Sequence, residues 1–206
     1  MKAFGNGMKV KGIGMPYPEQ TAARLIEVAL AEVGYVKQPV NITKYGKHTM
    51  ADGLPWCGSF VMWCCTKTGI KIPSVVSTAA GAQKFKDQNR WSDIPQKGYL
   101  AFMDFPHDGV DRISHIGIVV DVKKDSVICV EGNTSGTGDQ RNGGMVMIKE
   151  RAIGKGSPVV GFGIPRFAPY NGDFPIVDAP DSAAPAKPKK AKKNAKDKSS
   201  SGKLGA

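Results

Sequence analysis

The sequence has no apolar run long enough to cross a bilayer. Its longest, such as Ile116 to Val120, fall far short of the roughly 20 residues that a spanning helix needs, so no membrane partner is expected. The N-terminal MKAFGNGMKVKGIGMPYP carries positive charge but no continuous apolar stretch followed by a cleavage site. That argues against a secretory leader and for a chain that begins life in a cytoplasm. There is no C-x-x-C pair and no H-E-x-x-H, and the three histidines stand apart at 48, 107 and 115, so no zinc site is expected. The four cysteines make a poor disulfide framework: the chain is not small, and Cys64 and Cys65 are adjacent. No internal repeat is visible.

Acidic residues are also scarce, and the net charge of +11 is unevenly placed. Residues 175–206 hold eight lysines against three aspartates, a net of +5, with no aromatic side chain. Such a segment cannot bury a core, so a disordered tail is expected over residues 171–206. It can act as a solubilising appendage or as an electrostatic anchor to a polyanion, either nucleic acid or a cell-envelope polymer. Its chemistry does not separate those partners.

Between the tail and an irregular, Gly- and Pro-punctuated segment 1–18, one domain is expected over 19–170. Leu25, Ile26, Ala29, Leu30 and Val33 fall at helical spacing and predict a helix over 19–33, stopped by Gly34. Residues 35–55 read as polar and turn-rich. CGSFVMWCCTKT predicts a second helix over 57–68, with Cys57, Phe60, Val61, Cys64 and Cys65 on one face, and a third is expected over 78–88. After Pro95 the pattern turns to short β-branched runs at 99–104, 115–122, 126–131 and 144–150, with a closing strand at 159–162. Helices first and antiparallel strands afterwards indicate an α+β fold, with N-terminal helices packed on the sheet.

Cys64 and Cys65 on the helix read as buried apolar core, and so does Cys129, which alternates with apolar neighbours in a strand. Cys57 differs in position. Pro55 disfavours helix in its predecessor, so the helix should open at the cysteine. There the unpaired N–H groups and the positive end of the dipole favour a thiolate and can hold an oxyanion. Catalysis and structural burial both remain open for Cys57 on these grounds alone. A nucleophilic cysteine needs a base and a group to orient it. His115 opens the run HIGIVV, in which Ile116, Ile118 and Val120 share one face and His115, Gly117 and Val119 the other. In VICVEGNT, Cys129, Glu131 and Asn133 share parity, so either polar residue could hold the imidazole. His48 and His107 lie in polar segments and read as solvent-exposed.

The series NITKYGKHTMADGLPWCGSFVMWC, GYLAFMDFPHDGVDRISHIGIVVDV, VEGNTSG and VVGFGIPRF resembles the CHAP domain, the cysteine- and histidine-dependent amidohydrolase/peptidase family of papain-like fold. The resemblance covers about residues 19–168. It implies a nucleophile at Cys57, a base and later acid at His115, an orienting carboxylate at Glu131 and a further polar contributor at Asn133. Gly98-Tyr99 departs from the family's frequent Gly-Asp. Some relatives bind calcium before the cysteine through an acidic cluster. Here only Asp52 stands there, and no metal or other cofactor is expected. The spacing of Asp104, Asp108 and Asp111 is not that of an EF-hand and suits a β-turn.

The resemblance further implies hydrolysis of peptidoglycan amide bonds, often by phage endolysins. A monomer is expected that is held in the host cytoplasm and acts on the wall after release, with the basic tail on anionic wall polymers and no specific nucleic acid. Two rival readings remain: a catalytically silent wall-binding or structural module, and a nucleic-acid-associated protein using the AKPKKAKKNAKDK run.

Overall fold

The computed structural model describes residues 16–105, 112–136 and 143–177. The basic run from 178 onward, His107, Asp108, Asp111 and most of the 1–18 segment lie outside the described residues.

The Thr21 hydroxyl accepts a hydrogen bond from the Arg24 N–H at 3.1 Å and so opens helix α1, Ala22–Ala31. Its apolar stripe of Leu25, Ile26, Ala29 and Leu30 is buried as the spacing requires. The 35–55 stretch, expected to be turns, contains a single-turn helix α2, Lys44–His48. The Thr43 hydroxyl caps it by accepting from the Gly46 N–H at 2.8 Å. One turn is too short to leave a periodic apolar pattern, which is why this helix is not legible in the sequence. Helix α3 spans Cys57–Lys67 and begins at the cysteine as Pro55 dictates; helix α4 spans Thr78–Asp87.

Among the described residues six antiparallel strands follow: β1 (Trp91–Ser92), β2 (Leu100–Met103), β3 (His115–Val122), β4 (Ser126–Thr134), β5 (Met145–Ala152) and β6 (Val159–Gly163). Their order in the sheet is β1-β6-β2-β3-β4-β5. The fold is therefore α+β, helices first. The two-residue β1, too short to show alternation, was not expected, and β4 runs past the predicted end at Glu131 to Thr134.

Alternation divides the sheet cleanly. Leu100, Phe102, Ile116, Ile118, Val120, Ile128 and Val130 join the side chains of α1 and α3 in the main core. Ala101, Met103, Val119, Val127 and Cys129 form a second, smaller cluster on the opposite face. Helix α3 lies directly on β3 and β4. The approach is close enough that a Cβ on Gly132 would stand 2.6 Å from Phe60 Cβ and 2.9 Å from Trp56 Cζ3. Packing continues past the change of composition near residue 170, since Phe174 and Val177 still lie against the main core. Among the described residues, no helix is long and apolar enough to cross a membrane.

Gly132 sets the seating of α3 on the sheet. Gly132→Ala should overpack this contact and lower stability by about 1–3 kcal/mol. Thermal melting followed by circular dichroism would read it; an unchanged midpoint would mean that the helix is not held there.

Candidate active site

Cys57 is the first residue of α3, and its preceding residue, Trp56, provides no side-chain cap. The first helical hydrogen bond runs from the Phe60 N–H to the Trp56 carbonyl, at 2.9 Å. The N–H groups of Cys57, Gly58 and Ser59 come ahead of it, at the positive end of the helix.

The segment behind the thiol is fixed from two sides. The Trp56 ring stacks on Tyr45 of α2, 5.3 Å between centroids, with Tyr35 edge-on at 6.0 Å. The Tyr45 hydroxyl donates to Glu32 at 2.5 Å, which anchors α2 to the end of α1. The Thr49 and Ser59 hydroxyls share a hydrogen bond of 2.7 Å, which ties the exit of α2 to the first turn of α3. The short helix that the sequence did not reveal is thus what holds the backbone at Cys57.

His115, the first residue of β3, is fully buried. Its Nε2 lies 3.0 Å from Glu131 Oε2 on β4. Its Nδ1 has no hydrogen-bond partner of normal geometry among the described residues, yet Cys57 lies near enough to raise the basicity of the ring. A loose thiol–imidazole contact is ordinary in a site without substrate. Burial alone would lower the imidazole pKa. The interactions with Cys57 and then Glu131 outweigh it and raise the value from 6.5 to about 9.

Glu131 is also fully buried, on the sheet face that carries Cys129. Room for it is left by Gly117 on the neighbouring strand, where a Cβ would stand 2.8 Å from Glu131 Cγ. Burial would raise its pKa, but hydrogen bonds from Arg151 and His115 bring it down to about 2. Arg151, on β5, donates through Nε to Oε1 at 2.7 Å and through Nη2 to Oε2 at 2.5 Å. Phe105 lies over both cations, its ring 5.1 Å from the Arg151 guanidinium carbon and 5.7 Å from the His115 ring. Sequence reading missed Arg151 and Phe105. Local pattern carries no signal for Arg151: it stands on β5, the strand paired with the β4 of Glu131, and only the register brings the two together.

Asn133 does not follow the simple alternation expected of it. The β4–β5 register shifts between Glu131 and Thr134, and Asn133 adopts a left-handed φ of 59°, which breaks the parity with Glu131. The residue is buried, and its carbonyl accepts from the Gly143 N–H at 3.0 Å. Hydrogen bonds join His115, Glu131 and Arg151, and Asn133 stands at the bulge beside them. His48 is exposed and pairs with the Thr66 hydroxyl at 3.1 Å. Among the described residues no group of three or more His, Cys, Asp or Glu side chains is placed to hold a metal ion.

All four cysteines are free thiols. Burial pushes Cys65 up to about 12, and Cys64 and Cys129 well above the usual thiol value. Those three are poor nucleophiles in the folded protein.

A thiol at an uncapped helix start beside an imidazole held by a buried carboxylate is a cysteine–histidine hydrolase arrangement. The CHAP domain model matches residues 49–133. No curated protein and no solved structure matches the chain. The CHAP match begins just after α2 and ends within β4, so it takes in Cys57, His115, Glu131 and Asn133 and leaves out Arg151.

Two measurements check this site. Iodoacetamide followed by peptide mapping should modify Cys57 in the folded protein and reach Cys64, Cys65 and Cys129 only on unfolding. The second concerns pH. The raised His115 pKa contributes stability that is complete below 6.5 and lost as pH rises through about 9. The depressed Glu131 pKa contributes stability that is complete above 4.5 and lost as pH falls toward 2. The melting-temperature difference between the wild type and His115→Gln should therefore peak between those inner limits and shrink toward pH 9; a difference that grows toward pH 9 would contradict the pairing.

Proposed function

We propose that the protein is a peptidoglycan hydrolase, an amidase or endopeptidase that cleaves wall amide bonds through Cys57 and His115. The observation that carries the reading is the placement of Cys57 at the start of α3 beside an imidazole whose other nitrogen is held by buried Glu131. The CHAP match points to the same chemistry and to peptidoglycan as the substrate.

In the proposed reaction the Cys57 thiolate attacks the amide carbonyl carbon, and the carbonyl electrons move onto oxygen. N–H groups from the first turn of α3 receive that oxyanion. His115 gives its Nδ1 proton to the departing amine as the C–N bond breaks, leaving an acyl group on the Cys57 sulfur. Water then attacks the thioester while Nδ1 accepts its proton, and the thiolate leaves with release of a carboxylic acid. Glu131 stays ionised throughout and keeps the ring oriented through Nε2.

We further propose a phage endolysin, stored in a reducing cytoplasm and acting on the wall after release. Four free cysteines suit such a compartment. The lysine-rich tail would supply affinity for anionic wall polymers. A silent module is the weaker reading, since it would have no use for a buried histidine held by a buried carboxylate behind a free thiol.

Turbidity loss of purified peptidoglycan is the test. Cys57→Ala should abolish it while leaving the melting temperature within a few degrees of the wild type. Mass spectrometry of the released fragments should show new amino termini without new reducing sugar ends. Deleting residues 178–206 should weaken binding to intact walls, more so at low salt, and leave hydrolysis of soluble fragments in place. Retained lysis in Cys57→Ala would overturn the mechanism.

A further inference from the structure

We propose that Arg151 is a positioning residue of this site, the clamp that fixes the plane of the Glu131 carboxylate against His115. This rests on the cysteine–histidine reading above. The proposal reaches outside the CHAP match, which ends at residue 133.

Geometry carries it. A single hydrogen bond from His115 Nε2 to Oε2 would leave the carboxylate free to rotate about its last side-chain bond. The planar guanidinium removes that freedom by engaging both oxygens, Nε on Oε1 and Nη2 on Oε2. Oε2 is thereby shared between Arg151 and His115, so guanidinium, carboxylate and imidazole form one connected row across β5, β4 and β3. The row is closed on all sides. Gly117 leaves the space that the carboxylate fills, Phe105 covers the guanidinium and the imidazole, and Arg151 itself is only 8% exposed. Arg151 sits two strands from His115 and acts through Glu131, not on the substrate.

The titratable and charged groups around His115 and Glu131 come from every neighbouring element: Cys57 on α3, Cys129 on β4, and Arg151 and Lys149 on β5. Among them Arg151 alone offers a two-pronged donor. A lysine at 151 would keep the charge and lose the fork.

The test compares Arg151→Lys and Arg151→Met in the full chain, with folding checked by circular dichroism. On peptidoglycan, Arg151→Met should lower kcat by on the order of ten- to a hundred-fold with KM nearly unchanged, and Arg151→Lys should fall between it and the wild type. The His115 imidazole titration, followed by NMR, should move down by about one pH unit in Arg151→Met, because a freed carboxylate no longer supports the ring. If Arg151 acted only as a distant positive charge, its removal would move that pKa up. In a Glu131→Gln background, Arg151→Met should add little to the loss of kcat. An upward or absent shift, a folded Arg151→Met with full kcat, or additive losses in the double variant would each overturn the clamp. Should Arg151→Met fail to fold, Arg151→Lys carries the same comparisons. Should the wild type not hydrolyse peptidoglycan, the functional reading fails while the His115 titration still decides the clamp.

Discussion

The structure depends on one buried anion. Glu131 lies out of contact with solvent between β3 and β5, a position where an unpaired carboxylate would be protonated. It remains charged because two cations on flanking strands share its oxygens. Ion pairs of this kind add little net stability compared with an apolar core, and the desolvation of each charge is offset only by good geometry. What the arrangement gains is definition. The register of β3, β4 and β5 is tied to a set of polar contacts that would be lost if any strand slipped by one residue, since a slip sends alternate side chains to the opposite face.

Cys57 is governed by different forces. Behind it the backbone is set mainly by packed aromatic rings and a pair of hydroxyls, with the Tyr45 hydroxyl tied to Glu32 at the outer end. The candidate site is thus a meeting of a helix start, built largely from apolar contacts, with a polar row built from electrostatics. Each half is held by its own layer of the fold, and the sheet–helix interface at Gly132 sets their separation.

The sequence made the longer elements legible because each shows its own period. Leu25, Ile26, Ala29 and Leu30 mark α1, and the alternation through Ile116, Ile118 and Val120 marks β3. Pro55 announced the start of α3, and with it the special position of Cys57. Elements of one turn or two residues, α2 and β1, leave no period to detect. The parity expected of Asn133 is interrupted for a related reason: alternation holds only while the ladder is regular, and the register shifts between Glu131 and Thr134. Arg151 was missed because a cross-strand partner is set by register, which local pattern does not reveal. A charged residue in a half-exposed strand looks like any solvent-facing one until its neighbour is known.

The distribution of thiols has a consequence for redox chemistry. Cys64 lies seven positions beyond Cys57 on α3, roughly 10 Å along the axis, whereas a disulfide needs Cα atoms closer than about 7 Å. Cys65 is no nearer along that helix, and Cys129 belongs to the apolar cluster on the far face of the sheet. A sulfenic acid formed at Cys57 would therefore find no accessible thiol on α3 to trap it as a disulfide. Its fate divides between rescue by an external thiol and irreversible passage to sulfinic acid. With no resolving thiol on its own helix, an oxidised Cys57 would depend on the reducing capacity of its surroundings.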